Sequence, residues 1–159
     1  MKVGLLKDNE VREFAKITRE VIMNTRCYPT YSREDQASWY TPSKLKDKLK
    51  NKDLVFLVAR KDRKILGFCI GYYEAGGVFY ITWIGVAKEA RNNGVASKLV
   101  KHVEQGMKKK GMHKIACDIQ KDNKESISFF ENNGFEKIAE FKKHWYNLDY
   151  YVYSKRLRN

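Results

Sequence analysis

Only two prolines and three cysteines occur in this chain of 159 residues. Cys27, Cys69 and Cys117 are an odd number, widely spaced, and two of them lie within apolar runs. That pattern excludes a disulfide-stapled scaffold and points to buried, reduced thiols in a cytoplasmic protein. Histidine is equally sparse: His102, His113 and His144 are scattered, so no zinc set can be assembled and no metal is expected. No apolar run approaches the roughly 18 residues that a spanning helix needs, so no membrane partner is expected. The opening MKVGLLKDNE has no long apolar stretch and meets acidic residues at once, unlike a signal peptide. Repeats and low-complexity linkers are missing as well. The length suits one domain, residues 1–159, as a monomer or homodimer.

What the chain does have is positive charge. Lys and Arg number 32 against 19 Asp and Glu, a formal net charge of +13, yet 43% of the residues are hydrophobic. The apolar share excludes a disordered basic tail. The charge favours anionic partners such as phosphate-bearing ligands, nucleic acid or an acidic protein surface, and a merely solvated lysine-rich surface explains it equally well.

The stretch from Tyr80 to Met107 organises the rest. YITWIGV reads as a buried strand ending near Val86. AKEARNNGVASKLVKHVEQGM then opens a helix whose inner face is Val95, Leu99, Val103 and Met107. N–H groups at a helix start have no partner inside the helix, and the helix field there favours an anion. Small residues at Gly94 and Ala96 let a large anionic ligand approach the backbone, so the turn is a candidate diphosphate seat.

Arg91-Asn92-Asn93-Gly94-Val95-Ala96 resembles the R/Q-x-x-G-x-G/A loop of the GCN5-related N-acetyltransferases (GNAT). Ala96 replaces the commoner second glycine. Downstream, Asn123, Ser126, Phe129-Phe130 and Gly134-Phe135 resemble that family's N-x-x-A-x-x-L/F-Y-x-x-x-G-F segment, at the right distance. The ordered pair is far more specific than a glycine-rich loop alone. The resemblance implies acetyl-CoA as cofactor, with its pyrophosphate in the first loop.

The remaining pattern agrees with an α/β fold: a mixed sheet of six to seven strands with helices on both faces. Lys2 to Lys7 suggests an edge strand and Val11 to Met23 a helix. A second helix is expected from a Ser32 cap with Asp35 as its acidic partner, and a short third from Ser43 to Leu49. Leu54–Ala59, Ile65–Tyr73 and Val78–Val86 read as an antiparallel meander. Gly67 and Gly71 within it suggest a bulge or close approach. Lys114–Ile119 should run parallel to the strand ending at Val86, because a whole helix crosses between them. A helix from Asn123 to Gly134 and strands Ile138–His144 and Leu148–Lys155 complete the chain. A frayed tail is expected from Arg156 to Asn159. The family likeness adds a splayed central parallel pair, with acetyl-CoA in the gap and Gly85 permitting the distortion.

The resemblance also implies roles. Asn92 through Ser97 (Asn92, Asn93, Gly94, Val95, Ala96 and Ser97) would meet the phosphates, with Arg91 touching phosphate or shaping the loop. Lys88 and Lys124 are candidates for the ribose phosphate. Trp83, Ile84, Gly85 and Val86 would pair with the pantetheine arm, Val86 offering an N–H to the carbonyl oxygen. Asn123 would bond that arm or cap the following helix, with Ser126, Phe129 and Phe130 beside it. Asp118 ends an otherwise apolar strand, so it reads as a base or water-positioning group, or as a cap or ion-pair partner. Phe130 stands where the family usually has the tyrosine that protonates the leaving thiolate. Tyr146 is the first replacement candidate and Tyr31 the second.

Tyr28, Tyr31, Trp39 and Tyr146 are expected on the acceptor side, or as ordinary packing. Asp118 and the aromatic turn at 145–146 resemble the ribosomal-protein N-terminal acetyltransferase branch. A basic enzyme repels cationic polyamines, so the reading leans to a protein or peptide amine. A small amine stays open. The rival reading is a basic module on RNA or DNA that keeps the fold without catalysis, although no nucleic-acid motif is present.

Overall fold

The computed structural model describes residues 1–158. One sheet of seven strands runs through it, in the order β1-β2-β3-β4-β5-β7-β6. The strands are β1 (Lys2–Leu5), β2 (Leu54–Lys61), β3 (Lys64–Glu74), β4 (Val78–Val86), β5 (Lys114–Gln120), β6 (Glu136–Phe141) and β7 (Tyr150–Arg156). The helices are α1 (Val11–Asn24), α2 (Thr30–Ser38), α3 (Pro42–Lys48), α4 (Val95–Lys109) and α5 (Lys124–Asn132).

Period-two alternation sorts the strands onto two cores. Phe56, Val58, Phe68 and Ile70 pack with Phe14, Ile17 and Ile22 of α1, Ala37 of α2 and Leu45 of α3. On the other face Leu57, Cys69, Phe79, Ile81, Ile115 and Cys117 meet Val95, Leu99, Val103 and Met107 of α4 and Phe130 of α5. Helices thus cover both faces.

Only β4 and β5 run parallel, and they pair briefly, from Val78↔Lys114 to Ile81↔Cys117. Beyond Ile81, β4 stays with β3 through Trp83↔Ile70 and Val86↔Gly67, while β5 stays with β7 through Asp118↔Val152 and Gln120↔Tyr150. The two strands therefore part. The cause lies one residue past the last pair: the β3–β4 register slips between Ile70↔Trp83 and Gly71↔Ile81, leaving Thr82 as the extra residue of a bulge. Its hydroxyl donates to the Ile70 carbonyl at 3.0 Å, which holds the bulge shut.

Gly85 is not the bulge residue. A Cβ there would lie 2.7 Å from the Phe68 ring and 2.8 Å from Val21, so Gly85 lets α1 press against the sheet. The close approach expected at Gly71 is real, since a Cβ would sit 2.5 Å from the Phe79 ring.

Several boundaries move. α2 starts at Thr30 behind Pro29, and Ser32 lies inside the helix, its hydroxyl donating to the Pro29 carbonyl at 2.9 Å. Pre-set φ at Pro29 outcompetes the serine cap. α3 starts at Pro42 with Thr41 as the cap, which accepts from Lys44 N–H. β6 begins and ends earlier than expected, and β7 starts later, because Trp145–Asn147 forms a tight 3-10 turn with Tyr146 and Asn147 at positive φ. The tail is tied through Leu157, which is buried and donates from its N–H to the His113 carbonyl at 2.8 Å. Asn159, the last residue of the expected domain and tail, lies outside the described residues.

Candidate active site

At the parting of β4 and β5 opens a cavity of about 710 Å³, within the range of small-molecule sites. Four segments wall it: the end of α1 from Val21 with Asn24–Cys27, Trp83–Val86 of β4, the loop from Ala90 into α4, and Asp122–Ser126 at the start of α5 with Phe129 a turn further on.

The loop is shaped for an anion. Asn92 (φ 60°) and Gly94 (φ 70°) both take left-handed backbone, and α4 starts at Val95. Gly94 O accepts the first bond of the helix, from Lys98 N–H at 3.1 Å. Among the described residues no protein acceptor faces the N–H groups of Asn92 to Ser97. A Cβ built on Gly94 would meet nothing within 4 Å, so the space in front of these donors is open. Unpaired donors, a helix N-terminus and open space together fit a diphosphate.

Most of the expected cofactor residues stand on this wall: Trp83, Ile84, Gly85, Val86, Arg91, Asn92, Gly94, Val95, Ala96, Ser97, Asn123, Ser126 and Phe129, with Lys124 beside them. Two do not. Asn93 turns away, its side-chain amide donating to the Arg91 carbonyl at 3.0 Å and the Ala90 carbonyl at 3.5 Å. Phe130 is a core residue, 3% exposed, edge-on to both Phe129 and Phe135. Helical periodicity aims 129 and 130 in different directions, and only Phe129 reaches the cavity. Lys88 is not on the wall either. Asn123 caps α5, its Oδ1 accepting from Ser126 N–H at 3.1 Å.

Asp118 lies one residue past the last β4–β5 pair, on the α1–α3 side of the sheet, half-buried. The Tyr80 hydroxyl donates to its Oδ1, and the Trp145 indole N–H donates to Oδ2 at 3.4 Å. Burial and then this bond to a carboxylate push the Tyr80 phenol well up, so it stays a neutral donor. Tyr80 stacks on Tyr72 at 5.6 Å. Asp118 is therefore oriented by two neutral donors, and among the described residues it forms no ion pair.

The expected acceptor residues separate. Tyr28 is wedged between Trp83 (6.1 Å) and Tyr150 (6.4 Å), and burial raises its phenol strongly. Tyr31 and Tyr146 pack edge to face at 6.2 Å, the Tyr31 hydroxyl donating to the Tyr146 carbonyl at 3.1 Å. Tyr146 Oη donates to Asp35 Oδ2 at 2.7 Å, so it is committed to α2 and stands off the cavity wall. Trp39 sits exposed at the end of α2, apart from the others, while its neighbour Tyr40 is buried.

Sequence reasoning gave no site role to Tyr80, Asp35 or the Asn24–Cys27 segment, and named Trp145 only as part of the aromatic turn. Arg33 fixes that segment by donating to the Met23 carbonyl at 2.5 Å and to Thr30 Oγ1 at 3.1 Å. Burial, assisted by Asp122, pushes the Cys27 thiol up to about 11, so it is protonated at neutral pH. Among the described residues no three metal-binding side chains converge, and no helix is long and apolar enough to cross a membrane.

Residues 19–135, most of the chain, match the model of the acetyltransferase (GNAT) family. The chain belongs to that family. PaiA N-acetyltransferase from Thermoplasma acidophilum, solved in complex with coenzyme A, superposes with a TM-score of 0.83 at 20% identity over 98% of each chain. Ribosomal-protein-alanine N-acetyltransferase from Brucella melitensis gives a TM-score of 0.75 at 17% identity, covering 99% of this chain and 100% of that one. At such identities the likeness is one of fold. In sequence, N-alpha-acetyltransferase 30 of Schizosaccharomyces pombe is 31% identical over 68 residues, 43% of this chain and 45% of that protein. The match thus spans less than half of that relative's length.

Proposed function

We propose that the protein transfers an acetyl group from acetyl-CoA to a primary amine, and that the amine belongs to a protein or peptide. The observation that carries this reading is the row of unpaired N–H groups from Asn92 to Ser97, opening into the gap between β4 and β5. Bound acetyl-CoA would supply an activated thioester carbonyl. The residues of this chain do the rest. The loop N–H groups and the α4 start bind the diphosphate, with Arg91 and Lys124 adding positive charge. The β4 edge facing β5 is free of strand partners past Ile81, so Trp83–Val86 offers main-chain groups to an extended arm, in the manner of an added strand. Donors held ahead of reaction in this way orient a carbonyl and cost no reorganisation during it.

On the acceptor side an ammonium must lose a proton before its nitrogen can attack. Asp118 is the carboxylate at the split, and Tyr80 and Trp145 hold its two oxygens. It accepts that proton directly or through one water. Phe130 has no proton to give, so the CoA thiolate would leave as the anion and take its proton from water or from the newly acetylated nitrogen, which must lose one. The protein or peptide acceptor is supported by the sequence similarity to an N-alpha-acetyltransferase and by the Tyr31–Tyr146 pair beside the turn that reaches Asp118.

Calorimetric titration with acetyl-CoA tests the first half, and micromolar binding is expected. Mass spectrometry after incubation with peptides, whole ribosomal and chromosomal proteins, and small amines tests the second. Acetylation confined to small amines would overturn the peptide assignment while leaving the transfer itself intact.

A further inference from the structure

Six strands of the sheet pack at least one side chain against a core. β6 packs none: every residue from Glu136 to Phe141 is exposed, on both faces. It is also an edge. It pairs with β7 on one side, and among the described residues no strand lies on its other side. Ile138 and Phe141 on the strand, and Trp145 in the turn after it, are large exposed hydrophobic side chains. An uncovered edge of this kind is a template for a further strand.

Lysines and bulges ordinarily guard such an edge. β6 has both, Lys137 and a bulge between Lys137 and Ala139, and together they sort its side chains in a particular way. Lys137 and Glu140 stand opposite Tyr153 and Tyr151, on the α4 face, and Lys137 Nζ lies 4.1 Å from the centre of the Tyr151 ring. Glu136, Ala139 and Phe141 stand opposite Ser154, Val152 and Tyr150, on the α1 face. In an unbulged strand, residues 137 and 140 would fall on opposite faces. The extra residue brings them to the same one.

The order of faces along β6 is therefore the same read from either end. A second β6, antiparallel about a two-fold axis through the bulge, sets Lys137 opposite Glu140 of the copy and Glu140 opposite its Lys137. Opposite charges meet twice, and directly opposed pairs of this kind stabilise a ladder. The nearest registers that keep the faces matched centre on Lys137 or on Glu140, and each sets like charges against each other. The chemistry that fits this edge is thus its own.

We infer that two copies of the chain pair through β6, joining their sheets into one. Such an isologous contact closes on itself and gives a dimer, not a fibre. The same two-fold sets Glu136 of the copy opposite Phe141. Phe141 packs on His144 at 4.7 Å and His144 on Trp145 at 4.9 Å, so the pairing brings a carboxylate of the second copy to the end of the aromatic row that leads to Asp118. The pairing does not depend on the proposed acetyl transfer.

The test is sedimentation equilibrium of the full chain from about 1 to 100 μM, with Lys137→Glu, Glu140→Lys and the double variant Lys137→Glu/Glu140→Lys alongside. The parent should reach twice the chain mass of 18.7 kDa and no more. Each single reversal sets like charges opposite twice, so its dissociation constant should rise about ten-fold or more. The double reversal restores opposite charges and should return the constant to within about three-fold of the parent's. Circular dichroism should be the same for all four proteins, since both side chains are exposed. A parent that stays monomeric at the highest concentration would overturn the inference. So would single reversals that leave the dissociation constant unchanged, a double reversal as weak as the singles, or assembly that grows beyond two copies.

Discussion

At the scale of single residues, the site depends on side chains whose protons are held by their surroundings. Asp118→Asn keeps one acceptor oxygen, for the Tyr80 hydroxyl, sets an amide N–H against the Trp145 indole donor, and cannot take a proton. The turnover number should fall about 100-fold or more, while the acetyl-CoA dissociation constant stays within about two-fold, as steady-state kinetics and calorimetry would show. A rate within about three-fold of the parent would remove Asp118 from the proton path. Cys27 permits a pH test. Its thiol is raised from an ordinary value of 9.0 to about 11, whereas Cys69 and Cys117 are buried within the core. The native protein should therefore be alkylated slowly at pH 8, at one site, with a rate that climbs toward a midpoint near 11. Coenzyme A should protect it, since Cys27 lies on the cavity wall. The linked stability has a definite sign. The folded state retains the Cys27 proton between about pH 9 and 11 while the unfolded chain loses it, so this group's contribution to stability falls as pH rises through that window. Alkylation with a midpoint near 9, or without protection, would contradict the placement.

At the scale of elements, the turn into α4 is the seat proposed for the diphosphate. Gly94→Val puts a β-branched residue at φ 70°, which costs about 1–2 kcal/mol, and sets its methyl groups into the space in front of the donors. Calorimetry should find acetyl-CoA binding abolished, and an unchanged dissociation constant would refute the diphosphate seat. This turn was legible in the sequence because its parts are contiguous: strand, small residues and helix face lie within thirty residues. The bulge at Thr82 was not, since strand alternation does not show where a register slips. The pairs Tyr80–Asp118 and Tyr146–Asp35 were hidden for another reason: they join residues 38 and 111 positions apart. Local patterns cannot report a contact made by the sheet order. Phe130 shows the opposite case. Its inward position was readable from the α5 periodicity, and this conflicts with the cofactor role implied by the motif; the packing decides for the core.

At the scale of the whole molecule, ligand and fold are linked. Coenzyme A at about 100 times its dissociation constant should stabilise the native state by about 2.7 kcal/mol. For a chain of this size that is about 5–10 °C in Tm. Scanning calorimetry should show the shift in the parent and none in Gly94→Val. Absence of a shift in the parent would mean that the cavity does not hold this ligand in the native state.

The short β4–β5 pairing has a mechanical meaning. Strands β1 to β4 form one leaf and β5 to β7 another, stitched at one end by the four-residue register from Val78 to Ile81. The leaves resemble the arms of tongs, with α4 as the spring that joins them. Whatever fills the wedge completes a sheet that the chain itself leaves unfinished, so the grip on a guest and the stiffness of the body are one property.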